Sequence, residues 1–214
     1  MSNFTFKHYK DTLQLALNKK YKFLKCEQYN LIKKHEKVII LRHDIDFSLE
    51  NALKFANIEN KLGIPSTYFI RLHSKYYNPL EYNSYNIIKS IQDLGHEIGF
   101  HQEPDFSSLF PNPNEYLKQE IKSFNLLFQT QIKGVSTHEP ARRGIQITPQ
   151  NISEFNLEYE SYFPIFTQQM KYISDSGARW REGCMSEWIN QEKSKLYINT
   201  HPFWWFENSP LENY

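Results

Sequence analysis

The chain has 214 residues, enough for one domain with a substantial core, and its 25 basic and 24 acidic side chains leave a net charge of +1. Charges so evenly balanced and interspersed leave no electrostatic footprint for a polyanion, so no nucleic-acid partner is expected. Cys26 and Cys184 match no CxxC or zinc-finger spacing and read as free thiols, the start MSNFTFKHYK lacks an apolar secretory core, and no apolar run could span a bilayer, which together predict a cytoplasmic protein without a membrane span.

Residues 6–35 mix Lys with Leu, Phe and Tyr, and Leu13, Leu15, Ala16 and Leu17 predict a helix packed outside or beneath the main body. Residues 1–37 therefore read as an N-terminal helical extension and 38–214 as the main body of a single structural domain. Residues 38–46, VIILRHDID, open that body: four apolar residues fit a strand buried on both faces, and the run then turns abruptly polar. Asp44 and Asp46 share a face of an extended chain, and two carboxylates so close repel unless a cation or a proton lies between them. A metal site and an Asx turn capping the next helix both account for this stretch.

Ser48 is positioned to cap a helix with an apolar face of Leu49, Ala52, Leu53, Ala56 and Leu62, ended by Gly63. Residues 66–72 are rich in β-branched and aromatic side chains and predict a second strand. Ile87, Ile88, Ile91 and Leu94 before Gly95 predict a second helix. Residues 97–100 form a short strand ending in His101, Gln102, Glu103 and Asp105. A helix with Leu117, Ile121, Phe124 and Phe128 on one face follows, and then strand 134–137 delivers His138. Segments 158–163, 171–174 and 196–200 are further strands, the last ending in His201, and 186–193 is a short helix. Seven strands alternating with helices predict an α/β fold, with the Asn/Pro-rich stretches 78–84 and 111–114 as loops.

Of eight histidines, His43, His101, His138 and His201 fall at or just past the ends of four predicted strands, and in a parallel barrel those ends converge on one mouth. Asp and His ligands without clustered Cys suit a catalytic divalent metal, which lowers the pKa of water and polarises a carbonyl while a carboxylate takes a proton and a His returns one. The absence of a GxxxxGK phosphate cradle and of GxGxxG argues against phosphoryl transfer and dinucleotide chemistry.

The segments RHDID (42–46), LGHEIGFH (94–101), GVSTHEP (134–140), YISDSGARW (172–180) and INTHP (198–202), in that order, resemble the motifs of the polysaccharide deacetylase superfamily (NodB homology, carbohydrate esterase family 4). The resemblance is greatest to the HDxD branch associated with lipopolysaccharide O-antigen clusters. It implies a distorted (β/α)7 barrel of the NodB homology type and a hydrolase that removes N- or O-acetyl groups from carbohydrate with one divalent metal ion, zinc being the expectation. Asp44 matches the general base, Asp46 and His101 match metal ligands, and His201 matches the general acid. Asp175, Arg179 and Trp180 resemble the motif that orients and walls the site.

The chain departs from the family in three places. Ile45 separates the two aspartates, Asp105 stands where the second metal histidine belongs, and His138 stands in the place of an arginine that partners the base. Asp105, Glu103 or His138 could supply the third ligand, and His138 is preferred because a neutral imidazole then replaces a neutral imidazole. Arg142, Arg143 or Arg179 could stand in for the arginine, and Trp204 and Trp205 could stack on sugar or pack the barrel end. The expected partner is an acetylated carbohydrate, a precursor of a surface glycan. An amidase acting on a non-sugar amide and a non-catalytic carbohydrate-binding relic are the alternatives.

Overall fold

A computed structural model describes residues 4–208. Strand β1 (Lys22–Leu24) lies beside β2 (Val38–Ile45), and β3 (Thr67–Ile70), β4 (Glu97–Gln102), β5 (Gly134–Thr137), β6 (Tyr159–Glu160), β7 (Lys171–Ser174) and β8 (Lys195–Thr200) complete one sheet. Every pairing is parallel, in the order β6-β5-β4-β3-β2-β8-β7, with β1 paired to the first half of β2. The sheet curls into a distorted (β/α)7 barrel of the NodB type, left open between β6 and β7 among the described residues. No helix of the described residues is long and apolar enough to cross a membrane.

Helix α1 (Phe6–Asn18) starts at Thr5, whose hydroxyl accepts from the His8 backbone N–H, and α2 (Leu49–Lys61) starts at Ser48 in the same way. Helices α3 (Tyr82–Asp93), α4 (Pro104–Ser107), α5 (Pro113–Phe128), α6 (Pro140–Arg143), α7 (Pro164–Thr167) and α8 (Met185–Asn190) follow. Two helices begin inside stretches expected to be loops. Glu81 accepts from the backbone of Asn83 and Ser84 and so caps α3, and Pro113 stands at the first position of α5, where its missing N–H costs nothing. The strand expected over 158–163 shrinks to two residues. β1 was not anticipated, because three residues inside a Lys-rich helical segment carry no readable alternation.

Period-two alternation along β2 places the site. Ile39, Leu41 and Ile45 face outward into the large core under the helices, whereas Val38 and Ile40 face into the curl with Phe69, Tyr159, Phe166 and Tyr197. The inward series continues with Arg42 and Asp44, so the barrel is apolar at its base and polar at its mouth. Gly99 belongs to the inward series of β4, between Glu97 and His101, where an added Cβ would stand 2.5 Å from the Phe69 ring. Its missing side chain is what admits that ring beneath the site.

Candidate metal centre

Asp44 and Asp46 at the end of β2, His101 at the end of β4, His138 after β5 and His201 after β8 all line one cleft of about 420 Å³ at the C-terminal mouth of the barrel. Asp46, His101 and His138 each offer a ligand atom, and those atoms lie within 4.8 Å of one another. His101 Nδ1 is 2.8 Å from the Ser136 carbonyl, which only accepts, so Nδ1 carries the proton and the Nε2 lone pair faces the cleft. That nitrogen is 3.4 Å from Asp46 Oδ1, and His138 Nε2 is 3.6 Å from the same oxygen.

Asp46 Oδ1 is buried and has no hydrogen-bond partner; Arg71 Nη1, at 3.7 Å, is beyond hydrogen-bond reach. An orphaned carboxylate oxygen facing two imidazole nitrogens is a donor set that lacks its acid, and one carboxylate with two histidines suits a divalent cation that keeps positions open for water or substrate. Burial pushes the Asp46 carboxyl up, but the neighbouring His101 outweighs it and holds it at about 2. Burial likewise lowers His101, yet Asp44 and Asp46 outweigh it and raise the ring above its ordinary value, the same field that attracts a cation. His138 is lowered, by burial first and then by His101, so it offers a neutral imidazole at neutral pH.

Both acidic candidates for the third ligand are engaged elsewhere. Glu103 takes a two-pronged contact from Arg71, at 2.9 and 3.0 Å, and Asp105 pairs with Arg143. Arg142 pairs with Glu139. The partner of Asp44 is Arg42, which the sequence reading passed over: Nε is 3.0 Å from Oδ1 and Nη2 is 2.7 Å from Oδ2. Arg42 is fully buried and also donates to Ser136 Oγ, Tyr162 OH, Tyr197 OH and the Ser161 carbonyl. Burial alone would raise the Asp44 carboxyl, but the guanidinium holds it well below the usual carboxylate range. The signal was present in RHDID, since the alternation that places Asp44 and Asp46 on one face places Arg42 there too.

His43 is the correction among the four strand-end histidines. Its ring faces outward, with Nε2 2.8 Å from the buried Glu59 and Nδ1 2.6 Å from Thr200 Oγ1. It braces the sheet against α2. His201 does reach the cleft: Nδ1 is 2.6 Å from Asp175 Oδ1, and Nε2 is 3.9 Å from Asp46 Oδ2. Burial lowers its pKa, but hydrogen bonding and charge from Asp175 prevail and lift it to about 9. Asp175 also accepts from the His201 backbone and from Trp205 Nε1 at 2.8 Å, so the buried Trp205 is a packing and bracing residue, whereas Trp204 lines the cleft. Trp180 packs near Phe4 and Trp205, and the arginine on the cleft wall is Arg181.

No family model and no curated protein matches the chain. Its fold is that of the carbohydrate esterase family 4 enzymes. It is similar to a Streptococcus pyogenes deacetylase, PplD, solved with acetate, at 15% identity and a TM-score of 0.53, over 91% of this chain and 80% of that one. It is similar also to a family 4 carbohydrate esterase from Bacillus anthracis, at 16% identity and a TM-score of 0.52, over 94% and 80%. A CE4 family pseudoenzyme from Bacillus anthracis matches at 13% identity and a TM-score of 0.53, over 83% of this chain and 57% of that one.

Proposed function

We propose that the chain is a metal-dependent carbohydrate deacetylase of the NodB superfamily, with Asp46, His101 and His138 holding one divalent ion, zinc by the chemistry of the donors. On this reading residues 1–37 are an extension and 38–214 the deacetylase domain, of which 4–37 and 38–208 are described. The single observation that carries this reading is the orphaned Asp46 oxygen between His101 and His138, flanked by an ionised Asp44 and a protonated His201, on a fold of esterases and deacetylases. All five side chains lie in one cleft.

A bound divalent ion supplies Lewis acidity, polarising the acyl carbonyl and easing deprotonation of water. Asp44, kept ionised by Arg42, accepts the proton of the attacking water. His201, kept protonated by Asp175, presents Nε2 to the leaving atom and gives it a proton. Trp204 and Phe47 supply apolar wall to the cleft, as a sugar face requires. The substrate class is an acetylated sugar of a surface-glycan precursor, in line with the O-antigen-associated HDxD pattern.

Elemental analysis of the purified protein, paired with acetate release, tests the reading. Stoichiometric divalent metal and acetate release are expected, and Asp44→Asn should keep the metal while losing about 10²- to 10⁴-fold in turnover. Metal with release of another acid would favour a non-sugar amidase; sugar binding without turnover would favour a binding relic.

A further inference from the structure

We propose, building on the deacetylase reading, that His43 is a positioning residue: from the outer face of the sheet it ties β2 to β8 at their last shared rung and so fixes the spacing of Asp44 and His201. The ladder between these strands runs from Val38 opposite Lys195 to His43 opposite Thr200. Asp44 and His201 are the next residue on each strand, so base and acid stand just past the rung at which the backbones part. There β2 continues beside β3 as far as Ile45, while the His201 N–H turns to the Asp175 carboxylate.

Arg42, Asp44, Asn199 and His201 face the cleft side of the sheet, so His43 and Thr200 between them face outward, and both are fully buried. His43 Nδ1 is 2.6 Å from Thr200 Oγ1, which adds a side-chain tie to the last rung. The ring is held from behind by Glu59 of α2, whose Oε1 stands 2.8 Å from Nε2. Glu59 in turn accepts from Tyr9 OH of α1, from Ser66 Oγ at 2.6 Å and from Tyr68 OH at 2.7 Å. An ionised carboxylate there draws the ring proton to Nε2, which leaves Nδ1 to accept from the Thr200 hydroxyl. The rings of Tyr9, Phe55 and Tyr68 pack around the imidazole.

Elsewhere on this face of β2, Ile39, Leu41 and Ile45 brace the sheet by apolar packing. His43 breaks that series at the rung beside the base. A buried imidazole and carboxylate cost desolvation that an apolar pair would not, but a directional network fixes one arrangement where apolar contacts admit sliding. Asp44 and His201 serve the same acyl group, and a misplacement of about 1 Å between reacting groups costs about 10²-fold.

The test uses metal-loaded protein, with kcat and KM read by acetate release from N- and O-acetylated methyl hexosides and stability read by urea unfolding. Thr200→Val keeps the branched shape and removes the hydroxyl: kcat per bound metal should fall about ten-fold or more with KM little changed, and Thr200→Ser should recover it to within about three-fold. At position 43, the amide of Asn ends where Nδ1 stands and that of Gln where Nε2 stands, so Asn keeps the tie to Thr200 and Gln keeps the contact with Glu59. His43→Asn should therefore be the less stable of the two and the more active. Activity that simply follows stability across these variants, or wild-type kcat in Thr200→Val, would overturn the assignment and leave His43 a packing residue. Wild-type protein that binds metal yet releases no acetate would overturn the deacetylase reading and this inference with it, a result read before any variant is made.

Discussion

Replacing Arg42 with Met is the most informative single perturbation of the site. The side chain is fully buried, and the substitution strips the cation that touches both Asp44 oxygens while leaving Tyr162, Tyr197 and Ser136 without the guanidinium as donor. Breaking a buried pair from one side strands a charge and costs about 3–5 kcal/mol. Asp44→Asn is milder, at about 1–2 kcal/mol, because the amide still offers an acceptor and Arg42 keeps four other acceptors. If the stranded Asp44 charge dominates the Arg42→Met cost, the double variant should fall short of the sum of the singles by about 2 kcal/mol. Urea unfolding of the four proteins measures this directly, with slopes compared to check that the unfolded states match. Additivity to within about 0.5 kcal/mol would refute the claim that Arg42 acts chiefly through Asp44.

Alanine at Asp46, His101 or His138 should strip the metal, since each offers one of the converging ligand atoms, whereas Glu103→Ala and Asp105→Ala should retain it because Arg71 and Arg143 already hold those carboxylates; the reverse pattern in elemental analysis would move the third ligand to the acidic loop. On the outer face, burial raises the Glu59 carboxyl, but His43 outweighs it and holds the group at about 2. A folded-state pKa below the unfolded value of 4.5 means that this stabilisation, about 3 kcal/mol, is fully present above pH 4.5 and lost as pH falls toward 2. The stability gap between wild type and Glu59→Gln should therefore narrow across that window, and a gap independent of pH would contradict the depressed pKa. Gly99→Ala should destabilise by about 1–3 kcal/mol, because its Cβ would meet the Phe69 ring at 2.5 Å; thermal unfolding indistinguishable from wild type would show that the ring can move aside.

The parallel α/β order was legible because the longer strands are apolar runs closed by polar clusters, as in 38–46, and the longer helices carry a 3.6-residue apolar face, with Ser48 capping α2. Strand ends alone brought His101, His138 and His201 to one mouth beside Asp44 and Asp46, since parallel strands gather their carboxyl ends there, but the same rule also placed His43 there, where it is not found. Tertiary structure decided what chain order does not encode. Strand parity sends His43 outward to Glu59 and Arg42 inward to Asp44, a distinction latent in the alternation but resolved only when the faces of the sheet acquire different neighbours. Whether Glu103, Asp105 or His138 turns toward Asp46 depends on where Arg71 and Arg143 stand, and those arginines arrive from a separate strand end and a separate helix. Asn199 shows the same division: its place two residues before His201 is written in the chain, but that its carbonyl oxygen lacks a partner follows only from Asp44 claiming its amide nitrogen across the β2–β8 pair.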